Sequence, residues 1–248
     1  MNLIKGDCIE VMKDLSDNIA QVFFCDLPYG EISCKWDCKI DLDIFWKEAL
    51  RIGKEDCVFC FTATMKFAYT LIQSNHKMFR YDLVYIKNNA SNPMMSAFRH
   101  MPKHELILVF YKKKPKWNKE KYHTKIREVT LYVQKNPDDC FNIPSGSIRK
   151  NDTSPRWEPR LPTSIIKQQI NSIGKSIHPT RKDPQVIKDL LKYWTDPGDI
   201  VIDPTMGSGA TGEACRDLGL RFIGIEKEDK WFQVCKQRLL NIDGSNEK

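Results

Sequence analysis

The sequence lacks any long uninterrupted run of apolar residues. No stretch of the 248-residue chain reaches the roughly 18 consecutive apolar positions that a membrane-spanning helix needs. The segment from Met1 to Asp7 also lacks the apolar core of a signal peptide. We therefore expect a cytoplasmic protein that does not bind membranes.

The chain also lacks a regular pattern of paired cysteines. Its nine cysteines are odd in number and scattered, which is typical of reduced cytosolic thiols rather than of a disulfide framework. Cys57 and Cys60 have the spacing of half a zinc site, but no second pair accompanies them at a suitable distance, and Cys34 and Cys38 are spaced more loosely. We expect no metal site.

Positive charge is concentrated in one part of the chain. The formal net charge is +7, yet the stretch from Lys112 to Lys175 holds fifteen Lys and Arg against six Asp and Glu, so the remainder is slightly acidic. This stretch has weak periodicity, several prolines and isolated aromatic residues. A solvated basic linker has such a composition, but charge this localised favours a surface for a polyanion. We interpret residues 112–176 as an inserted recognition region.

Strands and helices are expected to alternate on both sides of the insert. Strands are predicted at residues 3–5, 22–26, 57–61, 82–87, 105–111, 200–203 and 221–225, and helices at 8–15, 41–52, 66–75, 183–193, 210–218 and 229–240. This alternation predicts an α/β fold with a doubly wound, mostly parallel sheet. Residues 1–111 and 177–248 are expected to be two parts of one domain.

Two of the predicted strands end in an aspartate. Residues 21–26 read Gln-Val-Phe-Phe-Cys-Asp and residues 200–203 read Ile-Val-Ile-Asp, which indicates two buried parallel strands. Each would deliver a carboxylate, Asp26 or Asp203, to its C-terminal end. Ligands and chemistry are found at that edge of open α/β sheets.

A glycine-rich loop follows Asp203. Gly207, Gly209 and Gly212 match the G-x-G-x-x-G pattern between a strand and a helix, and Glu226 ends the next predicted strand. Glycines let the backbone turn tightly and approach a ligand, and the acid accepts hydrogen bonds from ribose hydroxyls. A nucleoside cofactor is expected, and the motif alone leaves NAD and S-adenosylmethionine open.

The segment after Asp26 suits a nucleobase amine, which is a poor nucleophile because its lone pair is delocalised into the ring. Asp26 would accept one N–H, and the carbonyl of Leu27 or Pro28 would accept the other, which favours the pyramidal nitrogen needed for attack. Pro28 stiffens the turn and Tyr29 would stack on the base. The base must be flipped out of the duplex to reach such a pocket.

These segments, in this order, resemble the amino-group DNA methyltransferases that use S-adenosylmethionine, in the permuted class whose catalytic motif precedes the cofactor motif. The resemblance rests on four segments and covers nearly the whole chain. They are the (D/N/S)PPY-like tetrapeptide 26–29, the strand motif 103–110, the HPTQK-like element 178–182 and the DPFxGSG-like loop 203–209. It implies a Rossmann-like methyltransferase fold with an inserted target-recognition region, and a bacterial or phage-encoded protein.

The resemblance also implies a role for individual residues. The residues implied to hold the target amine are Asp26, Leu27, Pro28 and Tyr29. Those implied to bind the cofactor are Asp7 and Cys8 near the adenine, Glu226 at the ribose, Asp203, Pro204, Gly207 and Gly209 at the methionine side, and His178, Thr180 and Lys182 at the amino-acid end. The chain departs from the family pattern where Leu27 replaces a proline and Thr205 a phenylalanine.

The preferred interpretation is therefore site-specific methylation of adenine N6 in double-stranded DNA. Asp in the first position of the tetrapeptide is more usual in the adenine enzymes and Ser in the cytosine enzymes. Alternatives are methylation of cytosine N4, a non-catalytic DNA-binding protein that keeps the fold, and an NAD-dependent oxidoreductase. A homodimer and a cognate restriction endonuclease are further partners that the sequence leaves open.

Overall fold

Strands and α-helices alternate along the part of the chain that the computed structural model describes, residues 1–30, 40–91, 93–127, 156–167 and 182–240. The strands are β1 Asn2–Lys5, β2 Ala20–Cys25, β3 Gly53–Ala63, β4 Phe79–Ile86, β5 His104–Phe110, β6 Thr124–Arg127, β7 Arg156–Glu158, β8 Ile165–Lys167, β9 Ile200–Asp203 and β10 Arg221–Glu226. The helices are α1 Cys8–Lys13, α2 Leu42–Ile52, α3 Met65–Ser74, α4 Lys119–Tyr122, α5 Pro184–Trp194, α6 Ala210–Asp217 and α7 Asp229–Leu240.

Eight of these strands form one sheet in the order β1-β10-β9-β2-β3-β5-β4-β8. Strand β5 runs antiparallel to both of its neighbours, and every other neighbouring pair is parallel. Helices cover both faces of this sheet. The predicted doubly wound, mostly parallel α/β fold is confirmed.

The central strand β2 is buried on both faces, which explains its unbroken apolar sequence. Phe23 faces one core, where its ring stacks on Phe59 of β3 at 5.2 Å between centroids. Val22 and Phe24 face the other core. Helices α1, α2 and α3 contribute to the first core, and helices α5, α6 and α7 contribute to the second.

Capping residues fix where the helices begin. Asp41 precedes α2 and accepts hydrogen bonds from the amides of Asp43 and Ile44, and Asp183 precedes α5 and accepts one from Gln185 at 2.9 Å. A side-chain oxygen in this position satisfies amides that have no partner within the helix. The predicted helix starts at 41 and 183 therefore differ from the observed ones by one capping residue.

Several features of the fold differ from the sequence expectation. Strand β3 begins at Gly53, before the predicted start, because Gly53 pairs with Ala20 at the entry of β2. A short 3-10 helix, Pro93–Ala97, lies in the predicted loop between β4 and β5. Strand β8 was not predicted, and it pairs with β4 at the edge of the main sheet.

The chain divides into two compact units, of which the second comprises Asn118–Thr163. Its described part contains α4 and the antiparallel pair β6–β7. His123 Nδ1 lies 2.7 Å from the carbonyl of Pro159, and the Lys119 ammonium lies over the Trp157 ring. This unit lies inside the predicted insert 112–176, whose role in recognition stays a prediction. None of the described helices has the length and apolarity needed to cross a membrane.

Candidate active site

The C-terminal edge of four neighbouring parallel strands carries four carboxylates. Asp7 follows β1, Glu226 ends β10, Asp203 ends β9 and Asp26 follows β2. From β9 the chain continues to β10 on one side, and from β2 it continues to β3 on the other. The order of the strands reverses here, and the diverging connections leave a crevice in which α/β proteins bind ligands.

The loop from β9 to α6 bends at two glycines in the left-handed region. Gly207 has φ +50° and Gly209 has φ +85°, which glycine adopts without a steric penalty. A Cβ added to Gly207 would meet no atom within 4 Å, so this backbone is open to close approach. The Gly207 amide donates to Glu226 Oε2 at 3.0 Å, which ties the loop to the end of β10.

Asp203 is buried beneath this loop. Its Oδ2 accepts a hydrogen bond from Thr211 Oγ1 at 2.5 Å, and its Oδ1 accepts one from the Thr205 amide at 3.1 Å. Burial raises the pKa of the Asp203 carboxyl to about 7, although both hydrogen bonds oppose the shift. The carboxylates of Asp26 and Glu226 raise this pKa further, so the site around Asp203 is rich in negative charge.

The hydrogen-bond partners of the Glu226 side chain, like those of Asp203, are uncharged. Besides the Gly207 amide, its side chain accepts a hydrogen bond from the Glu228 amide at 2.7 Å. Burial raises the pKa of the Glu226 carboxyl. Within the described residues, neither Glu226 nor Asp203 is paired with a Lys or Arg side chain. Such a pair of carboxylates suits a ligand that brings hydroxyl donors or a positive charge.

Asp7 and Cys8 follow β1, at the outer end of the row of four carboxylates. Asp7 caps α1 by accepting a hydrogen bond from the Ile9 amide at 3.0 Å and forms an ion pair with Lys227 at 3.2 Å. The Gly6 amide donates to the Glu226 carbonyl at 3.0 Å, which holds this segment against β10. Burial raises the pKa of the Cys8 thiol to about 12, so this thiol is uncharged at neutral pH.

Asp26 is held by three side chains. Its Oδ1 accepts hydrogen bonds from Tyr29 Oη at 3.2 Å and from the Thr62 hydroxyl, and its Oδ2 forms an ion pair with Lys182 Nζ at 3.1 Å. Thr62 reaches Asp26 because β2 and β3 run in parallel register, with Cys25 opposite Phe61. The Asp26 side chain keeps 29% of its surface exposed, so a ligand can contact it.

A chain of alternating charges continues from Asp26. Lys182 also lies 3.0 Å from Glu105 Oε2, and Lys87 lies 3.0 Å from Glu105 Oε1. Burial opposes the charge on Lys182, but Asp26, Tyr29 and Glu105 outweigh it and raise the pKa of Lys182. Burial opposes the charge on Glu105 too, and the two lysines lower its pKa. These shifts favour the charged forms of both Lys182 and Glu105.

The rest of the tetrapeptide is anchored in the core. Leu27 is buried, and the Tyr29 ring packs against Phe67 with centroids 5.0 Å apart. Burial raises the pKa of the Tyr29 hydroxyl, with a further contribution from Asp26. The Thr205 hydroxyl donates to the Asp26 carbonyl at 3.1 Å, so one of the two residues that depart from the family pattern links the glycine loop to the segment 26–29.

The structure thus brings together most of the residues predicted for the site, including Pro204, which is buried between Asp203 and Thr205. His178 and Thr180 lie outside the described residues. Lys182, expected at the amino-acid end of the cofactor, contacts Asp26 and Glu105. Sequence reasoning missed the contacts of Thr62 and Glu105, although Thr62 is a polar residue in an apolar strand and Glu105 lies in β5 directly before its apolar run.

Comparison with known proteins places this site in a family. The sequence model of a DNA methylase family, N6_N4_Mtase, matches residues 21–237. The chain is 24% identical to the type II methyltransferase M.HinfI of Haemophilus influenzae over an alignment that covers 97% of this chain and 68% of the relative.

Solved structures show the same fold. The structure titled M1.HpyAVI-SAM complex has a TM-score of 0.63 and 22% identity, with 96% of this chain and 98% of that chain covered. The cytosine-N4-specific PvuII DNA methyltransferase has a TM-score of 0.68 and 14% identity, with 98% and 87% covered. Because the family model spans most of the sequence and the fold agrees, the chain belongs to the N6/N4 DNA methylase family.

Proposed function

We propose that the protein transfers a methyl group from S-adenosylmethionine to the N6 amine of adenine in double-stranded DNA. The observation that carries this proposal is the position of Asp26: it is held at the strand-order reversal next to Asp203, with part of its carboxylate exposed. Family membership supports methylation of an amine on a base, and the Asp at the first position of the tetrapeptide favours adenine. Cytosine N4 is the alternative, since the similar PvuII enzyme is titled cytosine-N4-specific.

The residues on the glycine-loop side fit S-adenosylmethionine. The open backbone at Gly207 allows close approach, and Glu226 has acceptor positions for the ribose hydroxyls beyond its two amide partners. Asp203 offers negative charge near the catalytic segment, which suits a cationic sulfur. Asp7 and Cys8 are proposed to border the adenine, and His178 and Thr180 the amino-acid end. When bound, the cofactor supplies an electrophilic methyl group.

The protein's part of the chemistry is alignment and proton acceptance. Asp26 accepts one N–H of the base amine, and the carbonyl of Leu27 or Pro28 accepts the other, which localises the nitrogen lone pair for attack. The raised pKa values of Lys182 and Tyr29 keep both protonated, so neither can act as the base. Asp26, whose side chain is partly exposed and accepts an N–H of the amine in this proposal, is our candidate for the group that takes the proton released by the methylated nitrogen.

The second unit supplies positive charge for the DNA backbone. Lys119, Lys121, Lys125 and Arg160 lie in its described part, within the stretch of local positive charge. Lysine and arginine neutralise phosphates and release counterions, which gives sequence-independent affinity. We propose that residues 112–176 bind the duplex while the target base is flipped toward Asp26.

The test is methyl transfer from labelled S-adenosylmethionine to DNA isolated from a host without DNA methylation, followed by mass spectrometry of the separated nucleosides. N6-methyladenine is the expected product. N4-methylcytosine as the product would support methyl transfer to a base amine and assign cytosine, not adenine, as the target. Absence of product with both ligands bound across DNA fragments of a whole genome would contradict the proposal and support a non-catalytic DNA-binding protein.

A further inference from the structure

The acceptor positions of Asp26 are nearly all used within the protein itself. A carboxylate oxygen accepts about two hydrogen bonds. Tyr29 and Thr62 occupy both positions on Oδ1, and Lys182 occupies one on Oδ2. Among the contacts of the described residues, one acceptor position on Oδ2 is left for a ligand. The three partners thus select which atom of Asp26 receives a base amine.

Lys182 is itself fixed from two directions. Its backbone directly precedes Asp183, a buried residue that caps α5 through the Gln185 amide. Its ammonium lies between Asp26 and Glu105, at 3.1 and 3.0 Å, and its side chain is 11% exposed. Two of the three N–H donors of the ammonium are directed at these carboxylates, so the side chain cannot move to another ligand without lengthening the two ion pairs.

We propose that Lys182, held by Glu105, is a positioning residue of the target-base side of the site, which fixes the Asp26 carboxylate with one Oδ2 acceptor position toward the base amine. This inference rests on the proposed methyl transfer and reassigns Lys182 from the cofactor. Lys87 continues the network by holding the other oxygen of Glu105. The loss of single-turnover rate is therefore expected to be largest for a substitution of Lys182, smaller for Glu105 and smallest for Lys87.

The two assignments of Lys182 predict different kinetics. A lysine that binds the cofactor affects the dissociation constant for S-adenosylmethionine. A lysine that positions Asp26 affects the single-turnover rate at saturating cofactor and DNA and leaves that dissociation constant nearly unchanged. Calorimetric titration of the cofactor needs no turnover, so it remains informative even if the wild-type protein transfers no methyl group.

The experiment compares K182M, K182R, E105Q and K87M with the wild type. We expect K182M to lower the single-turnover rate about 100-fold, which is within the range of positioning effects, with the cofactor dissociation constant changed less than threefold. E105Q is expected to lower the rate about tenfold, and K87M about threefold. K182R keeps the charge and is expected to recover part of the rate.

The matched control is K188M, which removes an ion pair of the same length between α5 and α6, Lys188 to Asp217 at 3.1 Å. It is expected to leave both rate and cofactor affinity unchanged, and thermal unfolding checks that each variant is folded. A tenfold or larger loss of cofactor affinity in K182M, with an unchanged single-turnover rate, would overturn the inference. So would a K182M rate equal to that of the wild type. A wild type without methyl transfer would contradict the proposed function instead.

Discussion

The two halves of the site hold their carboxylates in opposite ways. On the side of β9 and β10, Asp203 and Glu226 are hydrogen-bonded to amides and a hydroxyl, and burial raises the pKa of both. On the side of β2 and β5, Asp26 and Glu105 are paired with lysines. Among the described residues, the carboxyl groups on one side of the crevice therefore have no Lys or Arg partner, whereas those on the other side are paired with lysines.

This difference matches the two ligands proposed for the crevice. A cationic sulfur can supply the positive charge that Asp203 and Glu226 lack among the described residues, and ribose hydroxyls can donate to the acceptor positions that remain on Glu226. A neutral base amine instead needs a carboxylate whose orientation is already fixed, as that of Asp26 is by Thr62 and Lys182. The Thr205 hydroxyl on the Asp26 carbonyl ties the two halves together.

The largest effect is expected for Asp26→Ala, which tests whether the β2 side of the crevice binds the base and not the cofactor. It removes the acceptor for the amine, so we expect methyl transfer to fall by at least about 1,000-fold, near the upper range for a group that accepts a proton in the reaction. Affinity for S-adenosylmethionine, measured by calorimetry, is expected to stay within a few-fold of the wild type. Full activity in this variant would end the proposed role of Asp26.

The opposite pattern is expected for Glu226→Ala. Loss of hydrogen bonds to a charged acceptor costs about 1.5–3 kcal/mol, so cofactor affinity is predicted to fall roughly 10- to 100-fold. The single-turnover rate at saturating cofactor is expected to change little. Glu228→Ala, an exposed acid nearby, is the control. Equal affinities in the wild type and Glu226→Ala would remove Glu226 from the cofactor side.

The glycine loop gives a stability test. Alanine at Gly209 would adopt φ +85° and place its Cβ 2.7 Å from Cys235 Sγ, so the free energy of unfolding is predicted to fall by about 2–3 kcal/mol. Gly198→Ala is the control, because Gly198 has φ +89° with no atom within 4 Å of the added Cβ. It is expected to cost about 1–2 kcal/mol. Urea unfolding measures both, and equal losses would show that the contact with Cys235 has no effect.

A smaller effect than that of either site substitution is predicted for the pH dependence of cofactor binding. The carboxyl of Asp203 has its pKa raised to about 7 by burial, so it becomes protonated and uncharged as the pH falls from 8 to 6. Affinity for cationic S-adenosylmethionine should then fall by up to about tenfold. S-adenosylhomocysteine, whose sulfur is neutral, is expected to lose less. Parallel losses for the two ligands would mean that Asp203 does not interact with the sulfonium charge.

The parts of the site that could be predicted from sequence are those encoded locally. An apolar strand ending in Asp203, the glycines after it and Glu226 at the end of the next strand lie in one continuous segment. Their geometry follows from strand, turn and helix rules. The same is true of Asp26, because the apolar run before it predicts a buried strand.

The remaining contacts depend on the tertiary fold. Lys182 meets Asp26 across a long separation in sequence, and no local pattern indicates whether its ammonium faces the cofactor or the base. Thr62 meets Asp26 through the register of β2 and β3. Strand β8 was missed because three residues, Ile165–Lys167, form a strand through pairing with β4 rather than through their own periodicity.

The most direct test of the divided site is a crystal structure of the protein with S-adenosylmethionine. We predict that the ribose hydroxyls bind Glu226, that the cofactor lies beside Gly207 with its methyl group facing Asp26, and that Lys182 keeps its contacts with Asp26 and Glu105. A cofactor whose methyl group faces away from Asp26, or whose carboxylate has drawn Lys182 out of that network, would contradict it.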